Sequence, residues 1–167
     1  MLSITVGCMY AGKTSALLRN KPVGQTIVID YAVCDKPYDS MLYSHNEEMV
    51  ECIKTDDLSK INVGIFDNIL INEAQFFKGL VDFVKTALED SKHVYIYGLD
   101  GDFKQERFGE ILDLIPMCDS YVKLYAKCVC GKDAPFSKRL SNNLQQYSPD
   151  DIYRPSCRSC MNLCMNL

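Results

Sequence analysis

Near its amino terminus the chain reads Ile4-Thr5-Val6-Gly7-Cys8-Met9-Tyr10-Ala11-Gly12-Lys13-Thr14. The part from Gly7 onward fits the pattern GxxxxGK[ST], whose glycines let consecutive backbone N–H groups curl around a phosphate. The β-branched run before it predicts a strand, and the segment from Ser15 to Arg19 predicts a helix that ends before Pro22. Because this strand and helix are the context that a phosphate-binding turn needs, we predict that ATP is bound by Gly7, Cys8, Met9, Tyr10, Ala11, Gly12, Lys13 and Thr14.

The two residues that close the turn carry the chemistry expected of it. Lys13 supplies a full positive charge near the β and γ phosphates, and the Thr14 hydroxyl can ligate Mg²⁺. The start of the following helix adds a partial positive charge. The alternative is a chance match to the pattern in a turn that contains glycine.

Four short apolar runs predict the strands of one buried sheet: Ile4-Thr5-Val6, Thr26-Ile27-Val28-Ile29, Ile69-Leu70-Ile71 and Val94-Tyr95-Ile96-Tyr97. Apolar residues at helical spacing between the last two runs predict a helix from about Gly79 to Ser91. Strand, helix and strand in this order imply parallel pairing, and near-continuous apolar strands indicate a sheet covered on both faces. The sequence therefore predicts an α/β domain whose ligands lie beyond the carboxyl ends of its strands.

The composition limits the classes of protein to which the chain can belong. It has 167 residues, nine cysteines and a net charge of -4, and its sequence pI is near 5.2. This length fits one compact domain with a small appendage. The acidic balance argues against a nucleic-acid partner, and no apolar run approaches the ~20 residues of a membrane span. The chain opens without an export signal and its cysteine count fits no disulfide framework, so we expect a reducing, cytoplasmic location.

Polar residues follow the apolar run that ends at Ile71, where nucleotide enzymes commonly place an Asp for Mg²⁺ and a second acid beside it. Here the first of the two is Asn72, an amide that can hydrogen-bond a metal-bound water but brings no negative charge. We therefore expect Mg²⁺ to rely on Thr14, the nucleotide phosphates and Asp35. Glu73 is the predicted general base, which accepts the proton of a substrate hydroxyl. A solvated acid at a strand end is the alternative.

Four of the cysteines form two close pairs, Cys128-Val129-Cys130 and Cys157-Arg158-Ser159-Cys160, which are separated by 26 residues. The second pair has ordinary zinc spacing, and four thiolates leave Zn²⁺ no open coordination position, so the predicted role is structural. The first pair makes a tighter chelate turn, in which Gly131 helps the chain to bend. Buried free thiols are the alternative, and Cys164 could substitute as a ligand if the tight pair fails.

Over nearly the whole chain, these motifs resemble those of the thymidine kinases of the cellular and poxvirus type. The phosphate turn resembles that family's loop, with Cys8 in place of its usual proline. The segment from Ile71 to Phe77 resembles its Asp-Glu-x-Gln-Phe-Phe signature with the aspartate replaced. Leu99-Asp100-Gly101-Asp102-Phe103 followed by Phe108 is similar to its Leu-Asp-x-x-Phe segment, and the stretch from Phe136 to Leu140 is similar to its aromatic-x-Lys-Arg-Leu stretch.

The resemblance implies a fold and an activity. The expected fold is α/β, with a P-loop (RecA-like) parallel sheet and helices on both faces in residues 1–120. A small C-terminal zinc-bound lasso domain is expected in residues 121–167. The expected activity is ATP-dependent phosphorylation of the 5′ hydroxyl of a deoxynucleoside, with thymidine as substrate, Mg²⁺ and structural Zn²⁺ as cofactors, and a homotetramer as the assembly.

The resemblance also implies roles for individual residues. Glu73 is expected to act as the base for the 5′ hydroxyl, with Asp35, Asn72 and Gln75 beside ATP. Arg139 is expected near the base of the lasso. The residues expected to contact the nucleoside are Met9, Phe76, Leu99, Phe103, Phe108, Arg139, Leu144, Tyr147, Ser148 and Tyr153.

Several positions depart from the family pattern. Asn72 replaces the aspartate, Pro37 occupies an arginine position, and Ser148-Pro149 stands where the family has Gly-Gly. These departures leave two alternatives open. One is a nucleotide-binding relative with weak or no kinase activity, and the other is a zinc-containing P-loop ATPase that acts on nucleic acid. The net charge of -4 and the lack of a basic, aromatic-interleaved stripe argue against the second.

Overall fold

The computed structural model describes residues 1–31, 40–44, 48–141, 145–148 and 150–162. Within them the strands are β1 (Leu2–Gly7), β2 (Thr26–Tyr31), β3 (Met41–Tyr43), β4 (Met49–Glu51), β5 (Ile53–Thr55), β6 (Asn68–Ile71), β7 (His93–Gly98), β8 (Ser120–Leu124), β9 (Ala126–Lys127), β10 (Asp133–Ala134), β11 (Phe136–Arg139) and β12 (Tyr153–Ser156). The α-helices are α1 (Lys13–Arg19), α2 (Leu80–Glu89) and α3 (Arg158–Asn162). Short 3-10 segments occupy Leu58–Lys60, Ala74–Phe76 and Ile111–Met117.

Six strands form the central sheet in the order β5-β2-β6-β7-β1-β8, and every neighbouring pair is parallel. The four strands predicted from apolar runs, β1, β2, β6 and β7, are adjacent in its middle. Parallel strands need crossover connections, which run over the faces of the sheet. The carboxyl ends of these four strands therefore lie side by side, as predicted.

Alternate residues of the strands bury opposite faces of the sheet. In β6, Ile69 and Ile71 belong to one apolar cluster, which α2 covers. Leu70 between them belongs to a second cluster, which α1 covers with Ala16 and Leu17. Strands that are apolar on both faces require this two-sided cover. The structure confirms the predicted α/β class and its parallel sheet.

The helix predicted from about Gly79 to Ser91 is α2, which is slightly shorter at both ends. Gly79 precedes the helix with φ 71°, in the left-handed region that glycine adopts at little cost. The N–H groups of Gly79 and Val81 donate to the Glu110 carboxylate. These bonds satisfy donors that would otherwise lack a partner at the helix start.

Beyond the central sheet, the chain builds a small C-terminal unit, which we define as the described residues after Leu124. In it β9 pairs with β10 and β11 with β12, each pair antiparallel, and α3 follows. The predicted division between residues 120 and 121 falls inside β8, which pairs with β1 in the central sheet. The organisation into two domains stays a prediction.

Two further features complete the fold. β3 and β4 form an antiparallel pair outside the central sheet, and Leu42 of β3 joins the apolar cluster on the α1 side. Among the described residues, no helix is both long enough and apolar enough to span a bilayer.

Candidate functional site

A cavity of about 430 Å³ lies where the carboxyl ends of β1, β2, β6 and β7 meet. The residues predicted to bind ATP that line it are Met9, Tyr10, Gly12, Lys13, Thr14, Asn72 and Gln75. The predicted base, Glu73, lies among them. The predicted nucleoside contacts that line the same cavity are Met9, Phe76, Leu99 and Tyr147. Residues predicted for three different roles therefore share one space.

The phosphate loop, which comprises the residues from Gly7 to Thr14, is shaped by its two glycines. A Cβ atom added to Gly7 would lie 2.5 Å from the Leu124 carbonyl oxygen, so a side chain here would collide with the end of β8. Gly12 directly precedes α1 and has φ 81°, a left-handed conformation that favours glycine. The loop therefore curls onto the start of α1, as its sequence pattern requires.

Lys13 is a buried cation at the floor of this loop. Its side chain lines the cavity although the residue is only 8% exposed, and Nζ donates to the Cys8 carbonyl oxygen over 2.9 Å. Burial lowers the pKa of Lys13, and the nearby Glu73 carboxylate opposes that shift. Within the described residues, Lys13 forms no ion pair. An anionic ligand in the cavity would supply the missing counter-charge.

Hydrogen bonds join the phosphate loop to the C-terminal unit. The Cys8 thiol donates to the Ala134 carbonyl oxygen over 3.0 Å, and the Met9 N–H donates to Ser137 Oγ over 2.9 Å. Cys8 and Ala11 also pack in an apolar cluster with residues of that unit. Burial raises the pKa of the Cys8 thiol, which keeps it a protonated donor at neutral pH. The Cys8 side chain thus supports the loop while its backbone forms part of it.

Glu73 is held at the cavity by Gln75. Gln75 Nε2 donates to Glu73 Oε2 over 2.6 Å, and the Leu99 N–H donates to Gln75 Oε1 over 2.9 Å. Gln75 is 2% exposed, so both ends of its amide are fixed inside the protein. Glu73 itself has φ 50°, an uncommon conformation for a non-glycine residue and one that clusters at functional sites. The carboxylate is therefore fixed within electrostatic reach of Lys13.

Two glycines make room for Gln75. A Cβ atom on Gly98 would lie 2.5 Å from Gln75 Oε1, and one on Gly109 would lie 2.1 Å from the Gln75 carbonyl oxygen. Gly109 also has φ 64°. A larger residue at Gly98 would collide with the Gln75 side chain that orients Glu73, and one at Gly109 would collide with the Gln75 main chain.

Asp30, the next-to-last residue of β2, is a buried acid that the apolar patterning did not single out. It is 9% exposed and lines the cavity. Asn72 Nδ2 donates to Asp30 Oδ1 over 2.8 Å, which joins the ends of β2 and β6. Burial raises the pKa of Asp30, and the hydrogen bond from Asn72 lowers it. The cavity thus contains a carboxylate at the end of β2. It lies next to position 72 at the end of β6, where the sequence has an amide in place of the expected acid.

Aromatic rings form one wall of the cavity. The Phe76 ring centroid lies 4.9 Å from that of Tyr31, 5.3 Å from that of Phe108 and 4.8 Å from that of Tyr147. Tyr147 stacks on Tyr153 with ring centroids 6.5 Å apart and an interplanar angle of 9°. Phe76 and Tyr147 line the cavity, and Phe108 and Tyr153 pack against them.

Arg139 holds the chain segment that carries Tyr147. The guanidinium is buried, and it donates to the Gln145 carbonyl oxygen and to the Tyr153 hydroxyl. Its Nε lies 3.0 Å from an Asp151 carboxylate oxygen, and its Cζ lies 3.8 Å from the centroid of the Phe103 ring. Arg139 and Phe103 are both predicted nucleoside contacts. The structure places them where they support the cavity wall instead of lining it.

Of the four remaining predicted residues, the structure describes one. Ser148 is buried next to Tyr147. Asp35 and Leu144 lie outside the described residues, as does the spare cysteine Cys164. Their expected roles stay predictions.

The four paired cysteines converge in the C-terminal unit. Cys128 and Cys130 lie in the turn between β9 and β10, Cys157 follows β12, and Cys160 belongs to α3. All four Sγ atoms lie within 4.8 Å of one another, and those of Cys130 and Cys157 are 3.6 Å apart. Tetrahedral zinc with bonds of about 2.3 Å has sulfur atoms about 3.8 Å apart. The cluster therefore fits Zn²⁺.

The surroundings favour a thiolate at Cys128 and Cys157, whereas the side chains of the other three cysteines raise the pKa of Cys160 to about 12. Backbone N–H groups of Cys130 and Cys157 lower the pKa of the Cys128 thiol to about 6. The backbone N–H of Cys160 likewise lowers the pKa of Cys157. The tight turn closes through a hydrogen bond of 2.8 Å from the Gly131 N–H to the Cys128 carbonyl oxygen, with Gly131 at φ 82°. A Cys-x-Cys pair can thus present both thiols to one ion.

Comparison with known proteins identifies one family over almost the whole chain. The family model described as "Thymidine kinase" matches residues 1–161. A thymidine kinase of rice (Oryza sativa subsp. japonica) is 37% identical over 175 aligned residues, which cover 94% of this chain and 64% of the rice protein. Thymidine kinases of variola virus and of vaccinia virus (strain Western Reserve) are 33% and 32% identical, and each alignment covers 95% of both chains.

The chain belongs to the thymidine kinase family. This finding confirms the family that the motifs resemble and the predicted enzyme class. The match includes both the phosphate loop and the four clustered cysteines. The chain spans 64% of the length of the rice relative.

Five residues that line the cavity were not predicted as site residues, namely Ser15, Asp30, Tyr31, Leu42 and Tyr43. A signal for Asp30 was present, because an acid at the end of an apolar run follows the same pattern as Glu73 after β6. Leu42 and Tyr43 gave no such signal, since β3 has only three residues and too little sequence for a periodicity to show.

Replacing Gly109 with alanine tests the packing around Gln75. The added methyl group collides with the Gln75 carbonyl and the positive φ adds backbone strain, so we expect the free energy of unfolding to fall by about 2–5 kcal/mol. Urea denaturation followed by circular dichroism measures this loss. Gly79→Ala is the matched control, because Gly79 has φ 71° but no atom within 4 Å of the added Cβ. It should lose only about 1–2 kcal/mol. Equal losses of unfolding free energy in the two variants would mean that the Gln75 backbone moves away from the added methyl group at no cost in stability.

Proposed function

We propose that the protein phosphorylates the 5′ hydroxyl of thymidine and uses ATP as the phosphate donor. The observation that carries the proposal is the meeting of the phosphate loop, Glu73 and the aromatic wall around one cavity of about 430 Å³. A cavity of this size can hold a nucleoside with the end of a triphosphate. Membership of the thymidine kinase family supports the same function.

The triphosphate of ATP would lie on the phosphate loop. Its negative charge would neutralise the buried Lys13 ammonium, which has only the Cys8 carbonyl oxygen as a hydrogen-bond partner among the described residues. Loop N–H groups at the start of α1 would donate to the same phosphates. Burial strengthens both interactions, because the surrounding protein screens charge less than water does.

Glu73 would act as the general base. Its carboxylate accepts the proton of the 5′ hydroxyl while that oxygen forms a bond to the γ phosphorus, and the bond from the γ phosphorus to ADP breaks on the opposite side. Gln75 keeps the carboxylate in place through one hydrogen bond. The Lys13 ammonium would stabilise the negative charge that develops on the transferred group.

The aromatic wall would bind the pyrimidine ring. Phe76 and Tyr147 present ring surfaces on which a flat base can stack, and Met9 and Leu99 contribute further apolar contacts. Arg139 would act indirectly by fixing the segment that carries Tyr147.

Two metals are part of the proposal. Mg²⁺ would accompany ATP, with the Thr14 hydroxyl among its ligands, and would neutralise phosphate charge. Zn²⁺ would be structural, because four thiolates from the turn between β9 and β10, the end of β12 and α3 leave it no open position. A homotetramer and a cytoplasmic location remain predictions from the family resemblance.

A second candidate function is nucleotide binding with weak or no kinase activity, which Asn72 favours because it removes a charge expected near Mg²⁺. Incubating the purified protein with ATP, Mg²⁺ and each of the four deoxynucleosides separates the two candidates. We expect thymidine monophosphate as the main product in mass spectrometry. ATP binding without turnover of any deoxynucleoside would favour the second candidate.

Glu73→Gln tests the general base. Glutamine keeps the shape of the side chain and can still accept the hydrogen bond from Gln75, but it cannot take a proton from the substrate. We expect turnover to fall by about 10²–10⁴-fold with little change in ATP affinity. Steady-state kinetics and calorimetry measure the two quantities. The control is Glu89→Gln, an exposed glutamate at the end of α2, and full turnover in Glu73→Gln would remove the assignment.

Lys13→Met tests whether the buried ammonium group stabilises bound ATP and destabilises the protein without ATP. We expect the variant without ATP to resist urea at least as well as the wild type, because an unpaired buried charge has been replaced by an apolar side chain. ATP at about 100 times its Kd should stabilise the wild type by about 2.7 kcal/mol and leave the variant unchanged. Lys21→Met, at an exposed lysine, should retain the ATP effect. ATP protection of Lys13→Met would contradict the proposed role.

Metal analysis tests the cysteine cluster. We expect about one zinc per chain in protein purified without chelator, and Cys157→Ser should lose the zinc and melt at a lower temperature, because metal binding contributes to folding. Cys118→Ser is the control, since Cys118 is a free cysteine outside the cluster. Wild-type protein that contains no zinc would show that the four thiols serve another purpose.

A further inference from the structure

Asp30 and Asn72 form a buried pair at the ends of neighbouring strands. The strands β2 and β6 are parallel, and the pair lies just beyond the last residues that their ladder aligns, Ile29 with Ile71. The side chains of both residues line the cavity, and the Asn72 amide donates to Asp30 Oδ1 over 2.8 Å. The carboxylate is therefore on the adjacent strand, within one hydrogen bond of the position where an acid is expected.

The charge of Asp30 is poorly compensated. The residue is 9% exposed, and no lysine or arginine of the described chain makes an ion pair with it. Lys54 stands opposite Asp30 in the register of β2 with β5, yet it acts only at a distance. Buried carboxylates are normally paired with a cation or coordinate a metal. The pair with Asn72 supplies a hydrogen bond but no charge.

We propose that Asp30 supplies, from β2, the carboxylate of the Mg²⁺ site that position 72 lacks on β6, and that Asn72 orients it. This proposal rests on the proposed use of Mg²⁺ and ATP. The donors fit the ion, because Mg²⁺ binds oxygen ligands and the cavity offers the Asp30 carboxylate and the Thr14 hydroxyl together with the nucleotide phosphates. The acid would thus come from β2 instead of β6, and it would lie in the same cavity.

In this arrangement Asn72 is a positioning residue for Asp30. An amide at this position would weaken an otherwise unaltered metal site, but here it donates to a carboxylate and fixes its rotamer. An aspartate at position 72 next to Asp30 would place two negative charges within hydrogen-bond distance, which raises the pKa of one of them. Asn72 and Asp30 therefore work as a set, and exchanging them should preserve what either single substitution disturbs.

Binding of Mn²⁺, a paramagnetic substitute for Mg²⁺, provides the test. The full chain is titrated with Mn²⁺ in the presence of a non-hydrolysable ATP analogue, and free Mn²⁺ is read from its electron paramagnetic resonance signal. The variants are Asp30→Asn, which still offers Asn72 an acceptor, and the exchange variant Asp30→Asn with Asn72→Asp. Asp67→Asn is the matched control, because Asp67 is an exposed acid that precedes β6 at the opposite end of the sheet. Calorimetry in EDTA measures metal-free binding of the analogue to each protein.

We expect Asp30→Asn to weaken Mn²⁺ binding to the complex by at least about 10-fold, because losing even an outer-shell partner of a metal ligand typically costs about 10–100-fold. Metal-free binding of the analogue should be unchanged, and the exchange variant should recover Mn²⁺ affinity. If Asp30→Asn does not fold, the exchange variant decides, since wild-type Mn²⁺ affinity supports the proposal and a 10–100-fold loss contradicts it. Equal Mn²⁺ affinity in Asp30→Asn and Asp67→Asn would overturn the proposed role of Asp30 and leave the proposed function standing. If the wild-type protein binds the ATP analogue neither with Mn²⁺ nor in EDTA, the proposed function is overturned instead.

Discussion

Burial of both faces of a parallel sheet forces the polar side chains of this protein to the ends of its strands. The middle strands are apolar on alternate sides, one side under α1 and the other under α2. Charged groups are therefore excluded from the middle of these strands and lie at their ends, and the carboxyl ends of neighbouring parallel strands lie side by side. Lys13, Asp30 and Glu73 all follow or lie close to such an end, and they line one cavity. The same burial that stabilises the sheet shifts the pKa of Lys13 downward and that of Asp30 upward.

Local sequence predicted the parts of the fold whose cause is local. The alternation in β6 and the helical spacing in α2 reflect direct contact with the core, so their residues carry the pattern. The glycine pattern of the phosphate loop likewise follows from backbone conformation at Gly7 and Gly12. The cysteine spacing predicted the cluster, because ligands of one ion are constrained to be close in the chain or in space. In each case the signal lies within a few residues of the feature.

Features that depend on the order of the strands in the sheet could not be predicted from the sequence. Asp30 gains its importance from Asn72, and the two are 42 residues apart in sequence and meet only because β2 lies beside β6. β8 was not predicted, because an edge strand with several exposed residues has no continuous apolar run. Arg139 was expected at the base of the lasso, but its contacts with Phe103, Tyr153 and Gln145 come from three separate segments. No periodicity encodes such a meeting.

The hydrogen bonds from Cys8 and Met9 make the C-terminal unit a mechanical extension of the phosphate loop. Rotating that unit outward as a rigid body would break both bonds, at a cost of about 0.5–1.5 kcal/mol each, and would pull on the loop that precedes α1. The C-terminal unit and the phosphate loop are therefore coupled, so that a displacement of either one is transmitted to the other.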